Sequence, residues 1–299
     1  MIVKVEIILY LKVEILQDVI NIFKSKNITL PTPEPSIPGE VTINVITPFN
    51  ETFNYDTVLE IYQYLENELH INFIAERLHF EFSNEDYTNA PFFIVRSTGN
   101  SQAMILSDKG TQFKNELFCE NCRLIIQHQL SPLVIDTSKI RKRYMVYVKG
   151  HWVVSKKMAE LMESWGLKGY ELREVIHKGP EKGKQQAFQI IAKTFPKWSQ
   201  EMKIYNYYTD RHKLCTSCGI KGSVIGAYLY NKKDIIDLNN DIYVTAELSH
   251  DWKYGFYRTL ISKKFRNLLI EHKVTKDVRG MYDSGYGPYD WLLDPILEI

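Results

Sequence analysis

The sequence predicts an α+β fold: a small amino-terminal α+β module, residues 1–110, followed by a duplicated α+β domain, residues 111–299. Three observations predict it. Apolar residues in the first part switch between strand and helix spacing. All four cysteines lie beyond residue 110, as two Cys-x-x-Cys pairs. The stretches that follow the two pairs read alike.

The chain opens on an apolar strand, residues 2–10, that runs into a helix near residues 13–25 with Val13, Ile15, Leu16, Val19, Ile20 and Phe23 on one face. Pro31, Pro33, Pro35 and Pro38 then impose an extended loop, because proline lacks an amide donor and restricts the residue before it. Asp56 is placed to cap a second helix from Thr57 to Leu69, with Val58, Ile61, Tyr62 and Leu65 at helical spacing. Residues 90–95 read as a buried strand. This part carries no catalytic constellation.

In the second part, Cys119 with Cys122 and Cys215 with Cys218 each let one backbone turn present two thiolates to one ion. Two such turns complete a tetrahedral zinc site with no open position, which stabilises and does not catalyse. Arg123, Lys213 and Lys221 lie close enough in sequence to offset the charge of four thiolates. The pairs are far apart in sequence, beyond the spacing of a compact zinc ribbon. His212 before the second pair, and His128 after the first, keep two separate sites open as an alternative. Gly219 is read as the residue that lets the second turn adopt positive φ. Redox chemistry is disfavoured, since neither pair opens a helix in a strand–motif–helix setting.

The repeats span about residues 115–178 and 211–282. After each cysteine pair comes an Ile-Asp step, Ile135-Asp136 or Ile236-Asp237. A strand follows, Tyr144–Val148 or Asp241–Val244. Then comes a helix opening Val154-Ser155-Lys156-Lys157-Met158 or Ile261-Ser262-Lys263-Lys264-Phe265. Ser155 and Ser262 are N-cap candidates. Met158, Leu161, Met162 and Trp165 form one apolar stripe; Phe265, Leu268 and Leu269 form the other. The second copy carries an insertion near residues 249–257.

Composition sets bounds. The 299 residues suit one large domain or two of ordinary size, and 44% apolar with 24% charged residues is globular composition. A net charge of +1 gives no global attraction to nucleic acid or anionic lipid. The basic run Lys139-Ile140-Arg141-Lys142-Arg143 is the feature that keeps a nucleic-acid-binding regulator as the second reading. Lys4, Glu6, Lys12 and Glu14 interrupt the apolar amino terminus, so it is not read as an export signal. No apolar run of about 18 residues predicts a membrane helix. A cytoplasmic location is therefore expected, where thiols stay reduced and favour metal over disulfides.

Asp210 with His212, and His250 with Asp251, are weak acid–base candidates. The tail offers Tyr286, Tyr289 and Trp291 as partner contacts. The alternative reading packs it back on the domain through Trp291, Leu292, Leu293, Ile296 and Leu297.

The cysteine pairs, the duplication and the stretch from Trp152-Val153-Val154-Ser155 through Trp165–Val175 together resemble the double-CXXCG family over about residues 115–282. Gly219 matches the glycine after the second pair; Arg123 stands where the first would be. The family is found among bacterial immunity proteins. The resemblance implies a zinc-stabilised binding protein without turnover, an immunity or antitoxin protein whose partner is a cognate toxin.

Overall fold

A computed structural model describes residues 2–48, 55–71, 74–97, 108–148, 150–201, 204–206, 215–220, 223–225, 228–251, 254–274 and 291–299. The chain is mixed α+β, mostly sheet with few helices. It divides into two compact units, one spanning Met1–Ser83 and the other beginning at Asn84. No described helix is long and apolar enough to cross a membrane.

In the first unit, β1 (Ile2–Lys12) passes through a single 3-10 turn into α1 (Leu16–Ser25), later than the helix start expected at residue 13. The two-residue β2 (Glu34–Pro35) lies within the proline-rich loop, and β3 (Glu40–Pro48) follows. α2 (Tyr55–Asn67) already contains Asp56, so this residue belongs to its first turn and is not the cap. β4 (Ile74–Glu81) completes an antiparallel sheet in the order β2-β3-β1-β4. Proline is tolerated in β2 because that strand sits at the edge, where a missing donor breaks no ladder bond. Alternate residues Ile7, Leu9 and Leu11 of β1 join Ile43 and Val45 of β3 under Val19, Phe23, Val58, Ile61 and Leu65 of the two helices. On the other face of β1, Glu6 accepts a 2.8 Å hydrogen bond from the Asn44 amide.

The second unit starts with α3 (Asn84–Asn89), so the described residues from 84 to 97 fall outside the amino-terminal module, which was expected to run to residue 110. The reason is β5 (Phe92–Ser97), which is hydrogen-bonded on both sides to strands from the end of the chain. After it come β6 (Phe113–Cys119), β7 (Leu124–Gln129), β8 (Val134–Ile135), a 3-10 turn at Thr137–Lys139, β9 (Met145–Val148) and β10 (His151–Ser155). Then follow α4 (Lys156–Ser164), β11 (Tyr170–Glu174) and β12 (Ile176–His177).

The rest of the chain runs through the same order. It comprises β13 (Ala187–Thr194), β14 (Ile204–Asn206), β15 (Ser223–Ile225), β16 (Leu229–Tyr230), α5 (Lys232–Ile235), β17 (Ile242–Asp251) and β18 (Tyr254–Ser262). It ends with α6 (Lys263–Glu271), β19 (Trp291–Pro295) and β20 (Leu297–Glu298). The Ile-Asp steps do not coincide in this order. Ile135 enters β8, whereas Ile236 lies after α5; the position matching Ile135 is Tyr230 in β16.

The hydrogen bonds agree with that order. β8 pairs in parallel with β12, Val134 opposite Ile176, and β16 pairs in parallel with β20, Leu229 opposite Leu297. The Ser155 amide donates to the carbonyl of Tyr144, just before β9; the Ser262 amide donates to that of Asp241, just before β17. Both serine hydroxyls cap their helices, accepting from the Met158 amide at 3.3 Å and the Phe265 amide at 3.1 Å. Both helices close alike. Leu167 and Val274 donate back to Met162 and Leu269, while Gly166 (φ 60°) and Lys273 (φ 55°) take the left-handed position.

The opening strands are exchanged. β5 lies antiparallel between β18 and β19, with Ser262 opposite Phe92 and Pro295 opposite Phe93. β13 lies antiparallel between β10 and β11, with Ser155 opposite Ala187 and Glu174 opposite Phe188. Each stretch thus completes the sheet of the other, and β13 also meets β17 in parallel through Lys193 and Thr194. One ten-stranded sheet results among the described residues.

Candidate metal centre

Cys119 ends β6 and Cys122 lies in the turn that leads to Leu124 at the start of β7. Cys215 and Cys218 lie in the connection between β14 and β15, which pair antiparallel. Each cysteine pair therefore sits at the end of a hairpin and not at a helix start, which removes the setting a thioredoxin-like reaction needs. Positive φ recurs at the residue after each pair: Gly219 at 66° and Arg123 at 59°. The Gly219 amide closes its turn by donating to the Cys215 carbonyl at 2.8 Å. Arginine meets the same geometry at a steric cost that glycine escapes.

The two hairpin ends meet. Cys119 Sγ lies 3.6 Å from Cys215 Sγ, and Cys122 Sγ lies 3.7 Å from Cys218 Sγ. All four sulfurs fall within 4.8 Å of one another. Four thiolates about 2.3 Å from one zinc would stand about 3.8 Å apart, so the set has the dimensions of a single tetrahedral site. The two-site alternative is not what these distances describe. Cys119 and Cys215 are buried, the other two are half-buried, and Leu124 and Ile220 pack against them. The Asn121 amide donates to Cys215 Sγ at 3.7 Å, a weak bond that orients this ligand. Backbone amides, that of Cys218 foremost, draw the Cys215 thiol down to about 6, while burial pushes Cys122 up to about 12. A bound cation would hold all four as thiolates. The four cysteines are thus a set that could hold a metal ion.

His128 does not join them. Its Nε2 lies 2.9 Å from Glu116 on β6. His212, Asp210, Lys213, Lys221, Tyr286 and Tyr289 lie outside the described residues. Trp291 starts β19, with its backbone opposite Ser97, and Leu293 and Ile296 of the same segment are buried, so residues 291–299 pack back onto the unit. His250 and Asp251 continue β17 opposite Gly255 and Tyr254. The basic run is broken by Ile140, which is fully buried, and Arg143 turns back to donate to the Lys139 carbonyl.

Asn121 was not legible as part of this arrangement, because an asparagine inside a Cys-x-x-Cys turn has no distinguishing signal.

No family model matches the chain, and neither a curated protein nor a solved structure matches it.

Proposed function

We propose that this chain is a zinc-stapled binding protein whose second unit arose by duplication and which acts by contact with another protein, in the manner of an immunity or antitoxin protein. The observation that carries the reading is the closed set of four sulfurs, one pair from each hairpin. A tetrahedral set of four thiolates suits zinc or iron, and zinc is the ion that closed structural sites of this kind usually hold. With four protein ligands there is no position for a substrate or an activated water, so the metal serves the fold. The duplication is supported by the matched order β5–β12 and β13–β20, with repeats of about residues 91–178 and 186–299. These start one strand earlier than the cysteine alignment alone suggests. The immunity role rests on the resemblance in the sequence.

Two measurements test the reading. Elemental analysis of protein purified without added metal is expected to find one zinc per chain, lost in Cys215→Ser. Co-expression with the product of the adjacent gene is expected to protect cells from it and to yield a stable complex. One zinc per chain with neither protection nor complex would overturn the immunity role and leave the metal staple intact.

A further inference from the structure

The two matched stretches of the second unit carry different charges on one shared turn. A short helical turn follows β8 in the first and β16 in the second, each anchored by one buried isoleucine, Ile140 or Ile235. The neighbours of that isoleucine are Lys139, Arg141 and Lys142 in the first stretch. At the matching positions of the second stand Asp234, Ile236 and Asp237. Lys178, just after β12, likewise matches Ile299, just after β20: their amides donate to the carbonyls of the matched residues Ile135 and Tyr230. The frame therefore folds without these cations.

A second segment brings more cations to the same place. Residues 178–185 lie against the turn. The Gln185 side-chain amide donates to the carbonyls of Thr137 and Arg141 at 3.2 and 3.1 Å, and its backbone amide donates to Thr137 Oγ1 at 3.2 Å. The approach is close: a Cβ at Gly179 would stand 2.5 Å from the Asp136 side chain, so glycine is what fits there. Together, residues 137–143 and 178–185 carry seven lysines and arginines and one carboxylate, Glu181, which pairs with Lys184 at 3.3 Å. Asp136 beside them is buried and accepts from the Ser138 amide and hydroxyl. Arg141, Lys142, Lys178, Lys182 and Lys184 are exposed. The whole chain carries a net +1, so the excess is local. Like charges held side by side repel, and an anionic partner relieves that repulsion.

We propose that this surface binds the phosphate backbone of a double-stranded nucleic acid without reading its sequence. Lysine is depleted at protein–protein interfaces, whereas phosphate contacts are made by lysine, arginine and backbone amides. Segments 139–143 and 178–186 hold no aromatic residue, so they offer no platform on which unpaired bases would stack; a duplex, with its bases paired inside, presents the phosphates instead. The contact goes beyond the protein partner proposed above and does not depend on it.

Fluorescence anisotropy of the full chain with a labelled duplex of arbitrary sequence, once as DNA and once as RNA, tests this. Binding is expected to weaken between about 50 and 200 mM salt, for DNA with a log–log slope of about −4, the value for roughly five neutralised phosphates. Arg141→Glu with Lys142→Glu, and Lys178→Glu with Lys182→Glu, are each expected to raise the dissociation constant about tenfold or more at about 50 mM salt and to make the slope shallower by about 2. The same charge change on the matching turn of the second stretch, Lys232→Glu with Lys233→Glu, is expected to leave binding nearly unchanged. All six positions are exposed, so circular dichroism is expected to stay the same. Binding to either duplex supports the proposal, and the tighter of the two identifies the source of the phosphates. No binding at about 50 mM salt overturns it. So does an equal loss in the Lys232, Lys233 pair, which would reduce the effect to overall charge. Binding to poly-glutamate or to phosphatidylserine vesicles as tight as to either duplex also overturns it, and would make the surface a contact for an acidic protein or a membrane.

Discussion

The two stretches of the second unit build the same small core from different side chains. In one, Leu133, Ile135, Ile140, Val146, Val153, Val175 and Ala187 pack together, all aliphatic. At the matching positions of the other stand Tyr228, Tyr230, Ile235, Tyr243, Leu260, Ile296 and Phe92. The aromatic version recruits Phe195, whose ring meets those of Phe92, Tyr230 and Tyr243 edge-on at 5.0, 4.9 and 5.1 Å. Edge-to-face contacts of this kind add to the burial they accompany. The comparison teaches that backbone pairing and helix caps hold the shared frame while side-chain volume is free to change, provided each interior stays filled. The hairpins differ for a related reason. β17 and β18 extend beyond their counterparts through the residues read as an insertion, and the added residues pair with each other as Leu248–Asp251 against Tyr254–Tyr257. An insertion that satisfies its own backbone leaves the frame intact.

The largest expected effect falls on the feature the two stretches share. Removing metal with a chelator, or changing Cys119→Ser or Cys215→Ser, is expected to unfold or loosen the second unit, since structural zinc supplies on the order of 10 kcal/mol in small peptides. Thermal unfolding is expected to shift down by similar amounts for the two variants. A large shift for one and none for the other would break the equivalence of the hairpins.

Core substitutions sharpen the contrast. Phe92→Ala is expected to cost about 3–5 kcal/mol in denaturant unfolding, because it leaves a void beside the buried rings of Phe195 and Tyr243. The reciprocal Ala187→Phe is expected to cost about 1–3 kcal/mol by overpacking the aliphatic core. Two values near zero would mean that the cores are interchangeable after all.

A pH effect is expected in the first stretch. Burial lowers the His151 imidazole from 6.5 to about 4. Below 6.5 the unfolded chain takes up a proton that the folded chain refuses until about 4. The stability held above 6.5 is therefore lost as pH falls through that window, by up to about 3 kcal/mol at its lower end. His151→Gln is expected to flatten that slope, read as the urea midpoint at pH 7 and pH 4.5.

The helix caps are expected to give the smallest effect. Ser155→Ala removes one hydroxyl acceptor and is expected to cost about 1 kcal/mol. Ser262→Ala also removes the donor to the Asp241 carboxylate and is expected to cost more than that in the same denaturant measurement; equal values would mean that the Asp241 bond contributes nothing to stability.

Much of the local structure was legible in the chain. Both serine caps, the apolar stripes they precede, the positive φ of Gly219 and the paired cysteine turns follow from short-range rules: side-chain oxygens that reach first-turn amides, helical spacing, and a residue without Cβ. The domain boundary, the alignment of the Ile-Asp steps and the cap at Asp56 did not follow. Each depended on a partner distant in sequence or on where a helix begins by a residue or two.

What the sequence by itself determined is the inventory: two cysteine turns able to share an ion, two serine-capped helices, strands of recognisable period and a proline-rich loop. Those properties reside in a few consecutive residues and their dihedral preferences. Only the tertiary structure decided that the two cysteine pairs stand 3.6 and 3.7 Å apart and that β5 and β13 each complete the sheet of the other stretch. Strand pairing joins residues through generic backbone groups, which any strand presents alike. The choice among partners is made by what the whole sheet buries, and no local segment carries that information.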